Sequence, residues 1–275
     1  ARKAMIIAVI FEFAGAFRGG SGVTETMRDG IISTSQLSGQ PLILIEGMLS
    51  VLLACTIWMN LASYLGVPVS ITNALVGSMV GFGSIVLGVD AIHWTQVKHI
   101  AIGWVTSPLI SGITAYALFI SIQKTIFIHS NPLKRAKVFI PLYLFLIGTV
   151  LSFITVFKGL KHFEVHLNTQ QSIVVTIGTS IFLTVVGMIL IRKIPENPRI
   201  NRRQRFIQVE KYFAVLMAMT ACAMVFAHGA NDVSLAVGPL TVVYSLLMNA
   251  DQAFDANSYP AWMTLLGTLG VISGL

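Results

Sequence analysis

Between Tyr212 and Met248 the chain is apolar for longer than a bilayer is thick, except at His228-Gly229-Ala230-Asn231-Asp232-Val233 and at Gly238-Pro239. Backbone that crosses hydrocarbon must satisfy its own polar groups, so this stretch is a helix or a helix with a protein-lined break. An unbroken lipid-facing helix does not suit Asp232, because a charge at mid-bilayer costs about 2.5–3.5 kcal/mol or more. Gly229, Gly238 and Pro239 each loosen or break a helix. The stretch therefore predicts a broken helix over 228–239. Freed carbonyls and a carboxylate at such a break hold a cation, and a half-helix N-terminus holds an anion. The competing reading is a kinked helix whose Asp232 pairs with a neighbour for packing alone. The cost of the carboxylate favours a functional role.

Hydrophobic residues make up 55% of the chain and charged residues only 11%, against about 25% charged in soluble domains. The apolar runs are long enough for membrane helices and too long for barrel strands. The fold class is an all-α integral membrane protein, a polytopic helix bundle. The net charge of +7 sits mostly in connecting segments, a topology signal that gives no reason to expect nucleic acid as a partner. Cys55 and Cys222 lie in apolar runs and read as small hydrophobes. No metal-ligand spacing and no nucleophile–base set is present, and the six histidines lack an HExxH-like pattern. No enzyme and no cofactor is expected. The chain starts at Ala1 and ends inside an apolar run at Gly274-Leu275, which is read as part of a longer protein.

Taken in order, residues 4–17 read as the remainder of a spanning helix with Glu12 in its middle. Packing and ion binding are equally open roles for Glu12. Residues 18–40 are polar and Gly-rich, and Thr24–Asp29 reads as a short interfacial helix with solvated charges. Residues 41–66 form a membrane helix opening on Pro41, with Glu46 near enough to its start to reach the interface. Residues 67–88 are unusual. Pro68 gives extended backbone, Ser70 is a candidate N-cap that leaves the first amides free, and Thr72 and Asn73 add donors. Gly77 and Gly81 allow close helix approach. A re-entrant hairpin fits this segment; an ordinary spanning helix with a wet cap is the alternative. Residues 100–128, 138–157 and 172–191 read as plain membrane helices.

Seven of the eighteen Lys and Arg residues fall in 192–211 (Arg192, Lys193, Arg199, Arg202, Arg203, Arg205, Lys211). The positive-inside rule places this connector in the cytoplasm. Residues 129–137 are then inside, and 158–171 and 249–260 outside. Basic connectors also touch anionic lipid.

Phe226–Val233 followed by Ala236-Val237-Gly238-Pro239 resembles the signature of the inorganic phosphate transporters, the Pit family. Leu65–Gly77 resembles that family's second motif, and Ile10–Ala16 and Val23–Ile32 match its pattern too. The four motifs stand in the family's order, and their spacing fits across nearly all 275 residues. The resemblance implies a two-repeat transporter. Residues 1–191 would hold the end of the first repeat, 192–211 the cytoplasmic connector, and 212–275 the start of a truncated second repeat. It implies a secondary active symporter that imports inorganic phosphate by alternating access, with sodium ahead of the proton as coupling ion. Ser70, Ile71 and Thr72 would bind phosphate through the cap, with Asn231 and Asp232. Asn231, Asp232, Ser234, Asn73 and Glu12 would serve the cation, with sodium at Asn231 and Asp232. Where the family usually has Ser-Thr-Thr-His this chain has Ser70-Ile71-Thr72-Asn73, and where the family has a second Asn this chain has Leu235. A sulfate permease, and behind it an anion channel, are the alternatives. Beyond the lipid bilayer of a bacterial inner membrane, a second copy in a homodimer is the remaining expected partner.

Overall fold

A computed structural model of the chain describes residues 2–18, 30–32, 39–154, 168–194, 202–248 and 260–274. Within them the helices are α1 Arg2–Arg18, α2 Pro41–Leu65, α3 Ile71–Val86, α4 Trp94–Ile122, α5 Pro132–Ile154, α6 Thr169–Arg192, α7 Arg202–Met248 and α8 Ala261–Gly274. A 3-10 turn covers Val89–Ala91 and a π-helical turn continues α4 over Gln123–Phe127. α2, α4 with its π turn, α5, α6 and α7 are long and apolar enough to cross a membrane. The chain is a multi-pass, all-α membrane protein, as its composition predicts. α3 has 16 residues and rises roughly 24 Å, short of a hydrocarbon core of about 30 Å.

Helix limits follow local chemistry. α2 opens on Pro41 and stops at Gly66, whose φ of +67° is a left-handed conformation that favours glycine. α6 starts from a capping box: the Thr169 amide donates to Asn168 Oδ1 at 2.7 Å and the Asn168 amide to Gln171 Oε1 at 3.0 Å. α4, α5 and α6 all begin before the apolar runs that mark them in the sequence. Their first turns carry polar residues such as Lys134, Arg135 and Gln170, which hydropathy does not register as helix.

The expected break at 228–239 is absent. α7 runs for 47 residues through Gly229, Gly238 and Pro239 without interruption. A membrane helix tolerates an internal proline when nearby groups cover the freed backbone. Thr241 Oγ1 donates to the Gly238 carbonyl and Ser234 Oγ to the Ala230 carbonyl, each at 2.6 Å, so the hydroxyls flanking Pro239 are satisfied within α7 itself. Gly229 and Gly238 are both buried, so they sit on packed faces of a continuous helix.

The chain divides into two compact units, Ala1–Trp104 with Val225–Leu275, and Val105–Met224. In the first, α2 presents Leu44, Met48, Val51 and Cys55 at helical spacing. They pack with Leu75, Val76 and Met79 of α3 and with Leu235, Val242 and Val243 of α7. Ile31 and Ile32 also enter this core, fully buried. They are held there by the His93 amide donating to the Ile31 carbonyl at 3.0 Å and by an antiparallel bridge from Ile32 to Ile92. A second cluster joins Ala16 of α1, Val233 and Val237 of α7, and Met263 of α8. The interfacial helix expected at Thr24–Asp29 and the loops around Lys158 and Asp251 lie outside the described residues.

In the second unit α5 and α6 pack through small side chains. A Cβ at Gly148 would meet Ser180 Cα at 3.1 Å, and one at Gly187 would meet Leu144 Cδ1 at 2.7 Å. Thr176 and Ser180 are buried at this contact, their hydroxyls donating to carbonyls four residues back at 2.8 and 2.6 Å. Close backbone approach supplies the dispersion that holds helices together where lipid is as apolar as the side chains. Gly148→Leu should therefore destabilise the protein by about 1–3 kcal/mol. Gly178→Leu, which meets nothing within 4 Å, should not. Thermal unfolding of both variants in detergent tests the pair.

Candidate functional site

α1 and α7 cross with almost no space between their backbones. A Cβ at Gly15 would lie 1.9 Å from the Phe226 carbonyl oxygen, and one at Gly229 would lie 2.3 Å from the Glu12 carbonyl oxygen. Only glycine fits at either point. The crossing puts Glu12 of α1 opposite His228 and Asp232, which share a face of α7 at i, i+4 spacing.

His228 bridges the two carboxylates. Its Nδ1 lies 2.9 Å from Glu12 Oε1 and its Nε2 lies 3.0 Å from Asp232 Oδ2. The Glu12 side chain is only 2% exposed. A buried carboxylate is costly unless paired, and the imidazole is its partner. One ring nitrogen faces each carboxylate, so the three side chains form a continuous polar bridge between α1 and α7. Asn231 stands exposed on the same face of α7. Ser234 is buried with its hydroxyl proton on the Ala230 carbonyl, which leaves its oxygen able to accept or ligate.

The second group of candidates stands at the start of α3. Ser70, in extended backbone, is its N-cap and accepts the Asn73 amide at 3.4 Å. The amides of Ile71 and Thr72 have no partner among the described residues, as the first amides of a helix do not. Ser70 and Asn73 line an open cavity of about 680 Å³ together with Trp58, Pro68, Gly77 and Ser78. α3 turns Leu75, Val76 and Met79 inward and Asn73 and Gly77 to this cavity. Neutral hydrogen-bond donors at a helix N-terminus suit an oxyanion.

Glu12 and Asp232 are thus brought together, as are Ser70 and Asn73. Ile71 and Thr72 join through the free amides of the cap. No hydrogen bond or ion pair links the cap residues to Asn231, Asp232 or Ser234 among the described residues. The two groups share one packed unit, since α3 and the 235–243 stretch of α7 lie in the same core. His228 was not singled out from the sequence, though its i, i+4 spacing from an intramembrane Asp was a signal for it. The role of Gly229 was misread as helix loosening; the need for a glycine there is visible only once α1 lies against it.

A model of the phosphate transporter family matches residues 1–275. The chain belongs to that family. A Haemophilus influenzae protein bearing the name "Putative phosphate permease" is 38% identical over 100% of this chain and 65% of its own length. An Arabidopsis thaliana relative, "Inorganic phosphate transporter 2-1, chloroplastic", is 31% identical over 100% of this chain and 50% of its own. The solved structure of "The sodium-dependent phosphate transporter" superposes with a TM-score of 0.86 at 32% identity, covering 99% of this chain and 65% of that one. This member of the phosphate transporter family therefore spans about two thirds or less of the relatives it matches.

Gly229→Ala should push α1 from α7 and destabilise the protein by about 1–3 kcal/mol. It should also detach Glu12 from His228. A lowered melting temperature together with a changed ¹⁵N imidazole spectrum of His228 is the expected result, with Gly103→Ala, which meets nothing within 4 Å, as the silent control.

Proposed function

We propose that the full-length protein imports inorganic phosphate with a coupling cation, sodium ahead of the proton, across the cell membrane by alternating access. The observation that carries this reading is the pair of carboxylates, Glu12 and Asp232, gathered on His228 in the same packed unit as an open helix cap. Family membership and the name of the sodium-dependent structural relative support it.

The energetics require both groups. Moving a dianion into a negative-inside cell costs about 2.3 kcal/mol per charge per 100 mV, roughly 4.6 kcal/mol in all. Two monovalent cations cancel that term, and each adds about 1.4 kcal/mol per tenfold gradient. In this reading Ser70 and the Ile71 and Thr72 amides hold phosphate from the 680 Å³ cavity. Asn231, Asp232 and Ser234 hold the cation beside the Glu12–His228–Asp232 bridge. Asn73, on the cavity wall, serves whichever ion sits beside the cap. The short α3 is the re-entrant arm, and residues 1–191 and 212–275 come from two repeats joined by the cytoplasmic connector.

Removing the charge at Asp232 removes the cation's ligand and one partner of His228. Asp232→Asn should abolish sodium-driven uptake in proteoliposomes. Retained uptake would remove Asp232 from the mechanism. Ser70→Ala should raise the phosphate KM about tenfold, the worth of one hydrogen bond to a charged group. Sodium and pH gradients applied separately decide the cation. Labelled sulfate decides the anion: sulfate accumulation without phosphate accumulation would overturn the substrate assignment.

A further inference from the structure

We propose that one end of the unit formed by Val105–Met224 is a docking surface for the phosphate headgroups of anionic phospholipid. At this end the π turn, the start of α5, the end of α6 and the start of α7 share a core. Ile126 and Val209 are buried in it, with Leu133, Ile191 and Ile194 packed on it. Phe127 stacks on Phe206 and Phe213 with centroids 6.0 Å apart in each case. The surface is therefore a rigid platform.

The cations it carries come from every element: Lys124, Lys134, Arg135, Arg192, Lys193 and Arg205. Glu210 is the sole acidic side chain among the described residues of this unit. Topology alone accounts for a cytoplasmic excess of positive charge. It does not account for where the charges sit. Neither α5 nor α7 has an acidic residue in its first turn, and both place Lys or Arg there, at the positive ends of their own dipoles. Asn131 stands in the capping position of α5, yet its Oδ1 accepts from Arg205 Nη1 instead of capping its own helix. A few residues earlier, His129 keeps a buried Nδ1 with no partner. Cations gathered at the positive ends of two helices are relieved by one kind of group, an anion at the helix ends.

The neighbouring surface says which anion. Ile128, Val138 and Ile207 are exposed beside these cations. A headgroup phosphate brings acyl chains to cover such residues; a free phosphate ion or an acidic soluble partner does not. The surface thus fits the headgroup and upper chains of a lipid such as phosphatidylglycerol.

Native mass spectrometry of the purified full-length protein, titrated with phosphatidylglycerol or phosphatidylcholine, tests the assignment. Phosphatidylglycerol should be retained in preference, and the triple variant Lys134→Gln/Arg135→Gln/Arg205→Gln should weaken that retention at least about tenfold. Lys158→Gln/Lys161→Gln, which follow the other end of α5 in the sequence, should leave it unchanged. Should the triple variant fail to fold, the unmodified protein decides: the preference should fall as salt rises to about 0.5 M. Equal retention of the two lipids, or an equal loss in both variants, overturns the proposal. Displacement of phosphatidylglycerol by millimolar inorganic phosphate overturns it in favour of a free-anion site.

Discussion

The close crossing of α1 and α7 is the contact on which the candidate site depends. Two glycines, Gly15 and Gly229, let one helix's backbone lie against the other's. Without that approach Glu12 would not reach His228, and its carboxylate would be buried with no partner. Lipid offers no hydrophobic drive for helices to associate, so the contact must come from dispersion between closely fitted backbones and from the polar bridge they enclose. Each needs the other. The glycines bring the carboxylate in, and the imidazole between Glu12 and Asp232 makes its burial tolerable.

The same economy of small residues recurs across the described residues. α5 and α6 meet at Gly148, Gly187 and a line of buried Ser and Thr. Gly47 of α2 faces the ring of Phe82 on α3, and Gly267 of α8 faces Val233 on α7. These contacts let α7 be approached from several sides over the stretch 225–248, with Val233 and Val237 turned to α1 and α8, and Leu235, Val242 and Val243 turned to α2 and α3. The polar face of His228, Asn231 and Asp232 lies between these packed faces. A continuous helix serves that arrangement better than a broken one, because it holds all three side chains in register at i, i+3 and i+4.

The cap of α3 is the other half of the proposed site. Ser70 satisfies one amide, and the geometry of any helix start leaves those of Ile71 and Thr72 open. The cavity beside them is lined by small and polar side chains and one indole, with no cation. An anion held there gains hydrogen bonds but little countercharge from the protein. In the proposed symport the countercharge arrives with it, as the coupled cation.

Much of this was legible in the residues themselves. Composition and run length set the class, because hydrocarbon admits helices of a given length and little else. Ser70 announced the cap of α3, and the cost of Asp232 in lipid marked it as a carboxylate in need of a polar partner, which His228 supplies, since both judgements concern a residue and its own medium. Other features depended on what lies opposite in space. Glycine and proline read as helix breakers when only their own backbone is considered. Gly229 proved to be a contact point and Pro239 a buried member of an uninterrupted α7, because the neighbours packed on a helix decide what such a residue costs. His228 looked like one member of a motif until α1 placed Glu12 against its second nitrogen. Ile31 and Ile32 looked like the tail of a polar loop until Ile92 and His93 drew them into the core. The chain by itself determined which segments are apolar enough for membrane helices and which residues are too polar for lipid; tertiary structure alone decided that α7 runs unbroken and which of those residues meet, because packing free energy belongs to pairs and not to positions.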